Sequence, residues 1–172
     1  MAEAPVTPLQ RLLTHKMAFW LVLLASLVAD LASKVWADVH IRPTEPAVTP
    51  VVPGFLSWKW AENQGAAFSI LHGNTNMLSL IAGAVLVVVL WYAFSTPRHR
   101  RVYLGALGMV ASGAIGNLYD RIRLGYVRDF IFFDFDLPLW GPRELFGFAF
   151  EIPRRWPVFN VADIAIMVGV GL

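Results

Sequence analysis

Residues 102–121 read VYLGALGMVASGAIGNLYDR. The first 17 of them, to Leu118, carry no charge. A helix of that length and character is close to what a bilayer needs, since a span takes about 17–25 apolar residues. Gly108, Ser112 and Gly116 fall four apart. Small residues at that spacing let membrane helices approach closely. The stretch ends on Asn117, Asp120 and Arg121, which put an amide, a carboxylate and a guanidinium on one helical face. A helix-end network with Asp120 holding Arg121 is one reading of that face. A second reading has Asn117 and Arg121 hydrogen-bonding a substrate backbone.

Three more apolar stretches repeat the pattern. Residues 17–36 stay mostly apolar until Asp30 and Lys34, residues 77–94 are uncharged, and residues 159–172 end the chain. The sequence therefore predicts a mainly α membrane protein with four transmembrane helices. The last stretch is 14 residues long, short for a span, so further C-terminal residues are expected. The composition agrees: 57% of the 172 residues are hydrophobic and 15% are charged, too apolar for an ordinary soluble domain. One integral membrane domain over residues 1–172 is expected, with outer loops over 37–76 and 121–158. Arg11 and Lys16 precede the first stretch, but the run is long for a cleaved signal peptide and more spans follow. It reads as a retained anchor.

Basic residues set the orientation. Arg11 and Lys16 lead the first span, and Arg98, Arg100 and Arg101 crowd the short link between the second and third. Both termini then face the cytoplasm and both longer loops face outward. Residues 121–157 also carry six arginines. Alternation places them outside, interspersed with acidic residues. Within the loops, residues 55–60 alternate in strand fashion and residues 129–133 are rich in β formers, so a small sheet is expected on the outer face. Residues 64–71 suit a short surface helix. Trp58, Trp60, Trp140 and Trp156 suit an interfacial aromatic belt.

Two aspartates stand where an apolar chain should have none, Asp129 after the third stretch and Asp163 inside the fourth. An ionisable group at membrane depth is costly and marks function by default. Two carboxylates from different segments fit acid/base chemistry by a pair. Asp120 fits that role less well, because an adjacent arginine would keep it ionised. Asp30 and Lys34, at i and i+4, suit a neutralising pair beneath a site. Asn160 and Asp163 share a face, and taken alone a buried Asp–Asn pair could equally be glue between helices. Asn63 by itself reads as a turn residue.

Other chemistries are excluded by residue type. There is no cysteine, hence no disulfide, thiol nucleophile or thiolate metal site. The four histidines have no metal-ligand spacing and no His-Glu-x-x-His occurs. No metal or cofactor is expected. The formal net charge of +2 is small and scattered, which argues against nucleic acid. A non-enzymatic four-span transporter or assembly factor, with structural or proton-relay aspartates, is the alternative to an enzyme.

Five blocks, in order, resemble a known family. They are Asp30-Leu31-Ala32-Ser33-Lys34, then Asn63-Gln64-Gly65-Ala66-Ala67-Phe68, then Gly116-Asn117-Leu118-Tyr119-Asp120-Arg121, then Val127-Arg128-Asp129-Phe130, and last Phe159-Asn160-Val161-Ala162-Asp163. Together they resemble the lipoprotein signal peptidases, or signal peptidase II. The resemblance implies an aspartic endopeptidase of the bacterial cytoplasmic (inner) membrane that cuts a diacylglyceryl-modified prolipoprotein just before the lipidated cysteine. It implies a catalytic dyad of Asp129 and Asp163 near the outer face. Asn63, Asn117, Arg121 and Asn160 would bind substrate backbone, with Asp30, Lys34 and Asp120 supporting. Membrane lipid and a globomycin-type inhibitor are the other implied ligands, and a monomer is expected. Residues 134–155 read as an insertion relative to the family.

Overall fold

The computed structural model describes residues 16–65, 75–138, 140–145 and 148–172. The chain divides into two compact units, Met1–Leu31 with Ser79–Tyr119 and Val161–Leu172, and Ala32–Leu78 with Asp120–Asn160.

The first unit is helical. It draws on α1 (Met17–His40), α2 (Thr75–Ser95), α3 (Arg101–Leu124) and α4 (Val161–Gly171). The first three are long and apolar enough to cross a membrane, and α4 is a shorter apolar helix. No Asp, Glu, Lys or Arg interrupts α2, and a helix apolar all round has no face suited to water. Leu21, Val28, Leu80, Val87 and Val170 are exposed. So many large apolar side chains on a surface signal a lipid-facing one. Inside, Phe19, Leu23, Val89, Ala93, Leu104, Val110 and Ala111 form a core cluster.

Packing on α3 depends on missing side chains. A Cβ at Gly108 would sit 2.6 Å from the Phe19 carbonyl oxygen, and one at Gly113 would collide with the Ala162 carbonyl. At Gly116 it would collide with an Asp30 carboxylate oxygen. The small-residue stripe is thus a contact surface, and Gly113 extends it beyond the 108/112/116 spacing. Ser112 turns its hydroxyl inward to the Met109 carbonyl at 2.8 Å. Gly108→Ala should cost about 1–3 kcal/mol through overpacking. Gly83→Ala, where a Cβ meets open space, should cost nothing. Denaturation of the two variants in one detergent checks this.

The second unit is built on strands. β1 (Thr49–Val52), β2 (Leu56–Asn63) and β3 (Val127–Phe133) form an antiparallel sheet in that order. The expected pairing of the 55–60 and 129–133 segments is present: Leu56 faces Phe133 and Trp58 faces Ile131. A register shift follows, and Ala61 then faces Asp129. Phe159 bridges to the free side of β3, its N–H donating to the Ile131 carbonyl at 3.0 Å and its carbonyl accepting from Ile131 at 2.8 Å. Phe133 packs on Phe159 and Phe55 with ring centroids 5.1 and 5.6 Å apart. Trp60 departs from the expected belt. It is buried, under the Arg42 guanidinium at 5.6 Å, whereas Trp140 and Trp156 remain exposed. Of the expected surface helix, residues 66–71 lie outside the described residues.

Within residues 134–155, β4 (Gly141–Leu145) and β5 (Phe148–Ile152) pair as an antiparallel hairpin. Its base is clamped by ion pairs, Arg154 to Asp136 at 2.7 Å and Arg155 to Asp134 at 2.7 Å. The Arg154 hydrogen bond holds the Asp136 carboxyl below the usual carboxylate range. A carboxylate whose folded pKa is depressed contributes its contact above the unfolded pKa and loses it as pH falls through the folded value. The clamp should therefore be intact at neutral pH and release only in acid, below about pH 4. Amide hydrogen exchange of residues 136 and 137 across pH 3–6 checks this, with the 137 amide reporting through its bond to the Arg154 carbonyl.

Candidate active site

Asp129 sits in β3, almost fully buried. The strand pairing sets its neighbours. β2 runs on one side and ends at Asn63, and the Phe159 bridge brings Asn160 along the other. Asn63 donates its amide to Asp129 Oδ2 at 2.9 Å, and Asn160 donates to Oδ1 at 2.7 Å. Asn63 is itself oriented, because its Oδ1 accepts the Gly65 N–H at 3.0 Å. Reading Asn63 as a turn residue is therefore half right: the turn aims its N–H₂ group at a carboxylate. Each Asp129 oxygen receives a neutral amide donor.

Asp120 serves a different purpose in the same unit. The Arg128 guanidinium donates to both its oxygens, at 2.6 and 3.2 Å, and the Arg128 backbone N–H adds a third bond at 3.1 Å. Lys34 lies 3.4 Å away, and the side chains of both Lys34 and Asp120 are fully buried. Asp120 thus binds the end of α3 to the start of β3 and to α1. Sequence reasoning paired Asp120 with Arg121 and missed Arg128. The i, i+1 spacing was itself a warning, since adjacent residues on a helix do not face each other. Arg121 instead reaches the Gly65 carbonyl at 3.4 Å, beside the turn that orients Asn63.

In the helical unit, Asn117 on α3 donates its amide to Asp163 Oδ1 at 2.9 Å. Asp163 lies in the first turn of α4, where the helix dipole favours a negative charge. Asp30 accepts the Ala162 backbone N–H at 2.9 Å. It caps α4 from a different helix, satisfying one of the N–H groups that a helix start leaves open. Gly116 leaves the space that Asp30 occupies. Asp30 therefore positions the turn that carries Asp163.

Every residue singled out from sequence enters a polar contact. Asn63, Asp129 and Asn160 form one group, Lys34 and Asp120 a second with Arg128, and Asn117 and Asp163 a third. Asp30 caps α4, and Arg121 supports the Gly65 turn. Among the described residues no cluster of three or more His, Cys, Asp or Glu could hold a metal ion. The chemistry on offer is that of carboxylates held by amides.

Two solved bacterial membrane enzyme structures share the fold. One matches with a TM-score of 0.69 and 25% identity, over 88% of this chain and 82% of its own. The other has a TM-score of 0.64 and 26% identity, over 88% and 86%. With three helices fit to cross a bilayer, the chain falls in the class of membrane proteins. Sequence comparison resolves the class further. The lipoprotein signal peptidase of Chlorobium luteolum is 36% identical over 151 residues, covering 88% of this chain and 85% of the relative. That of Pseudomonas putida is 40% identical over 154 residues, covering 87% and 80%. The family model for signal peptidase (SPase) II matches residues 22–172. The chain belongs to the signal peptidase II family and is a membrane peptidase.

Proposed function

We propose that this peptidase is an aspartic endopeptidase that removes the signal peptide from diacylglyceryl-modified prolipoproteins, cutting just before the lipidated cysteine. Asp129 and Asp163 are its catalytic dyad. The observation that carries this is the division of labour among the carboxylates. Asp120 is committed to Arg128 and Lys34, and Asp30 caps a helix. Asp129 and Asp163 are instead presented by neutral asparagine amides.

Peptide hydrolysis needs an activated water and a polarised carbonyl. Two close carboxylates cannot comfortably both ionise, so the pair keeps one proton. The ionised member takes a proton from water as that water attacks, and the protonated member donates to the carbonyl oxygen. The roles reverse when the tetrahedral intermediate expels the amine. The titration belongs to the pair. Asn63, Asn117, Asn160 and Arg121 line the path of the substrate backbone, reading main chain and tolerating many signal sequences. The protein works as one domain with four spans and both termini in the cytoplasm. Its site lies near the outer face of the bacterial inner membrane, and it acts as a monomer. A globomycin-type cyclic peptide would compete for the same backbone-binding groups.

Recognition of main chain leaves specificity to small residues before the cut and to the acyl chains. Transfer of an acyl chain from water is worth about 0.8 kcal/mol per buried CH₂. The diacylglyceryl form should therefore be cut at least about a hundredfold faster, in kcat/KM, than the unlipidated prolipoprotein, since about 2.7 kcal/mol of differential binding suffices. Initial rates on both substrates in one detergent test this. Equal rates would favour a general signal peptidase.

A further inference from the structure

The helical unit holds a cavity of about 730 Å³ at the end where α1 and α3 begin. Arg98, His99 and Arg101 supply its basic lining, and Met17, Ala18, Leu21 and Leu104 its apolar lining. The floor is firm. Leu104 is buried in the core cluster, and the Lys16 ammonium, next to Met17, hydrogen-bonds the Thr96 carbonyl.

Among the described residues its basic side has no counter-charge. Among the described residues no carboxylate pairs with Arg98 or Arg101, and the only described side-chain carboxylates of this unit are Asp30 and Asp163. Those two are engaged with the Ala162 N–H and with Asn117. Arg101 is also the first residue of α3, so the positive end of that helix's dipole adds to the arginines instead of offsetting them. An anion there would neutralise an otherwise unfavourable concentration of charge.

The apolar side narrows the chemistry. Met17 and Leu21 are 52% and 61% exposed and continue the apolar outer face of α1. A free phosphate would use only the basic half of the cavity. A phospholipid would use both, with its phosphate on the arginines and an acyl chain along α1. Basic pockets between membrane helices bind anionic headgroups for this reason. We propose that this cavity is a binding site for an anionic phospholipid. The site is separate from the residues proposed for the chemistry: Arg101 opens α3 and Asn117 lies 16 residues further along it, about 24 Å away at 1.5 Å per residue.

Native mass spectrometry of the full chain in detergent, titrated with phosphatidylglycerol or phosphatidylcholine, tests the proposal without reading turnover. Failure of the peptidase assignment would leave its result unchanged. Wild type should retain phosphatidylglycerol about tenfold better than phosphatidylcholine. Arg98→Gln/Arg101→Gln should lose that preference. Arg123→Gln/Arg143→Gln, which removes equal charge from exposed positions elsewhere, should keep it. Leu21→Asn should weaken phosphatidylglycerol binding severalfold with both arginines intact. Equal retention of the two lipids, or equal effects of the two double variants, would overturn the site. Displacement of the lipid by equimolar glycerol phosphate would overturn the lipid assignment in favour of a simple anion site.

Discussion

Asp163→Asn should lower turnover of a diacylglyceryl-prolipoprotein roughly 10³-fold or more while the protein stays folded. An amide matches a carboxyl group in shape but cannot cycle a proton, and positioned acid–base groups contribute about 10²–10⁴-fold. In a dyad the loss falls at the upper end, because the water loses its base or the carbonyl its acid. The Asn117 amide can still meet the side-chain oxygen of the introduced asparagine, so the fold of that variant is preserved. Asp129→Asn should lose as much activity and also some stability. Both Asp129 oxygens accept amide donors, from Asn63 and Asn160, and the new N–H₂ group must oppose one of them. A buried donor left without an acceptor costs about 1–3 kcal/mol. Paired measurements of turnover and thermal melting separate the effects. Near-normal turnover in Asp163→Asn would contradict its place in the proposed dyad.

The largest effect on stability is expected at Asp120. Asp120→Ala leaves Lys34 and Arg128 buried without their shared carboxylate. Removing one partner of a buried ionic group costs about 3–5 kcal/mol, because the remaining charge is uncompensated. Most of a marginally stable protein's stability would be lost. Arg128→Met should cost less, since the Lys34–Asp120 pair survives it and the replacement is apolar. Asp120→Asn should fall between, keeping an acceptor oxygen for the Arg128 N–H groups. Because Arg128 immediately precedes Asp129 in β3, each variant should also reduce turnover in the protein that remains folded. Chemical denaturation of the three variants in a single detergent gives the order, and wild-type stability in Asp120→Ala would refute the buried triad.

Much of this was legible in the chain because membranes restrict what a sequence can do. An uncharged run such as 102–118 has few alternatives to a helix, and the aspartates beyond it are conspicuous by cost. The β2–β3 pairing was readable from alternation around Trp58 and β formers after Asp129. β1 was not readable, since all four of its residues, Thr49 to Val52, are exposed and carry no burial pattern. Nor was the β4–β5 hairpin, whose first strand opens on Gly141 and Pro142. Local strand signals are weak there, and the ion pairs that clamp its base join residues 18 or more apart in sequence. The role of Arg128 escaped for a related reason. Its contact with Asp120 spans the turn between α3 and β3, through Gly125 at φ +82°, a left-handed conformation that favours glycine. Helix-face arithmetic stops before that turn.

Incubation of the purified chain with a diacylglyceryl-modified prolipoprotein, read by mass spectrometry of both fragments, is the most direct test of the proposed activity. One cut is expected, leaving the lipidated cysteine as the new N-terminus and an intact signal peptide as the other product, with neither formed by Asp163→Asn. Uncleaved substrate from the wild-type protein, a cut at another bond, or the same products from Asp163→Asn would contradict an aspartic signal peptidase II.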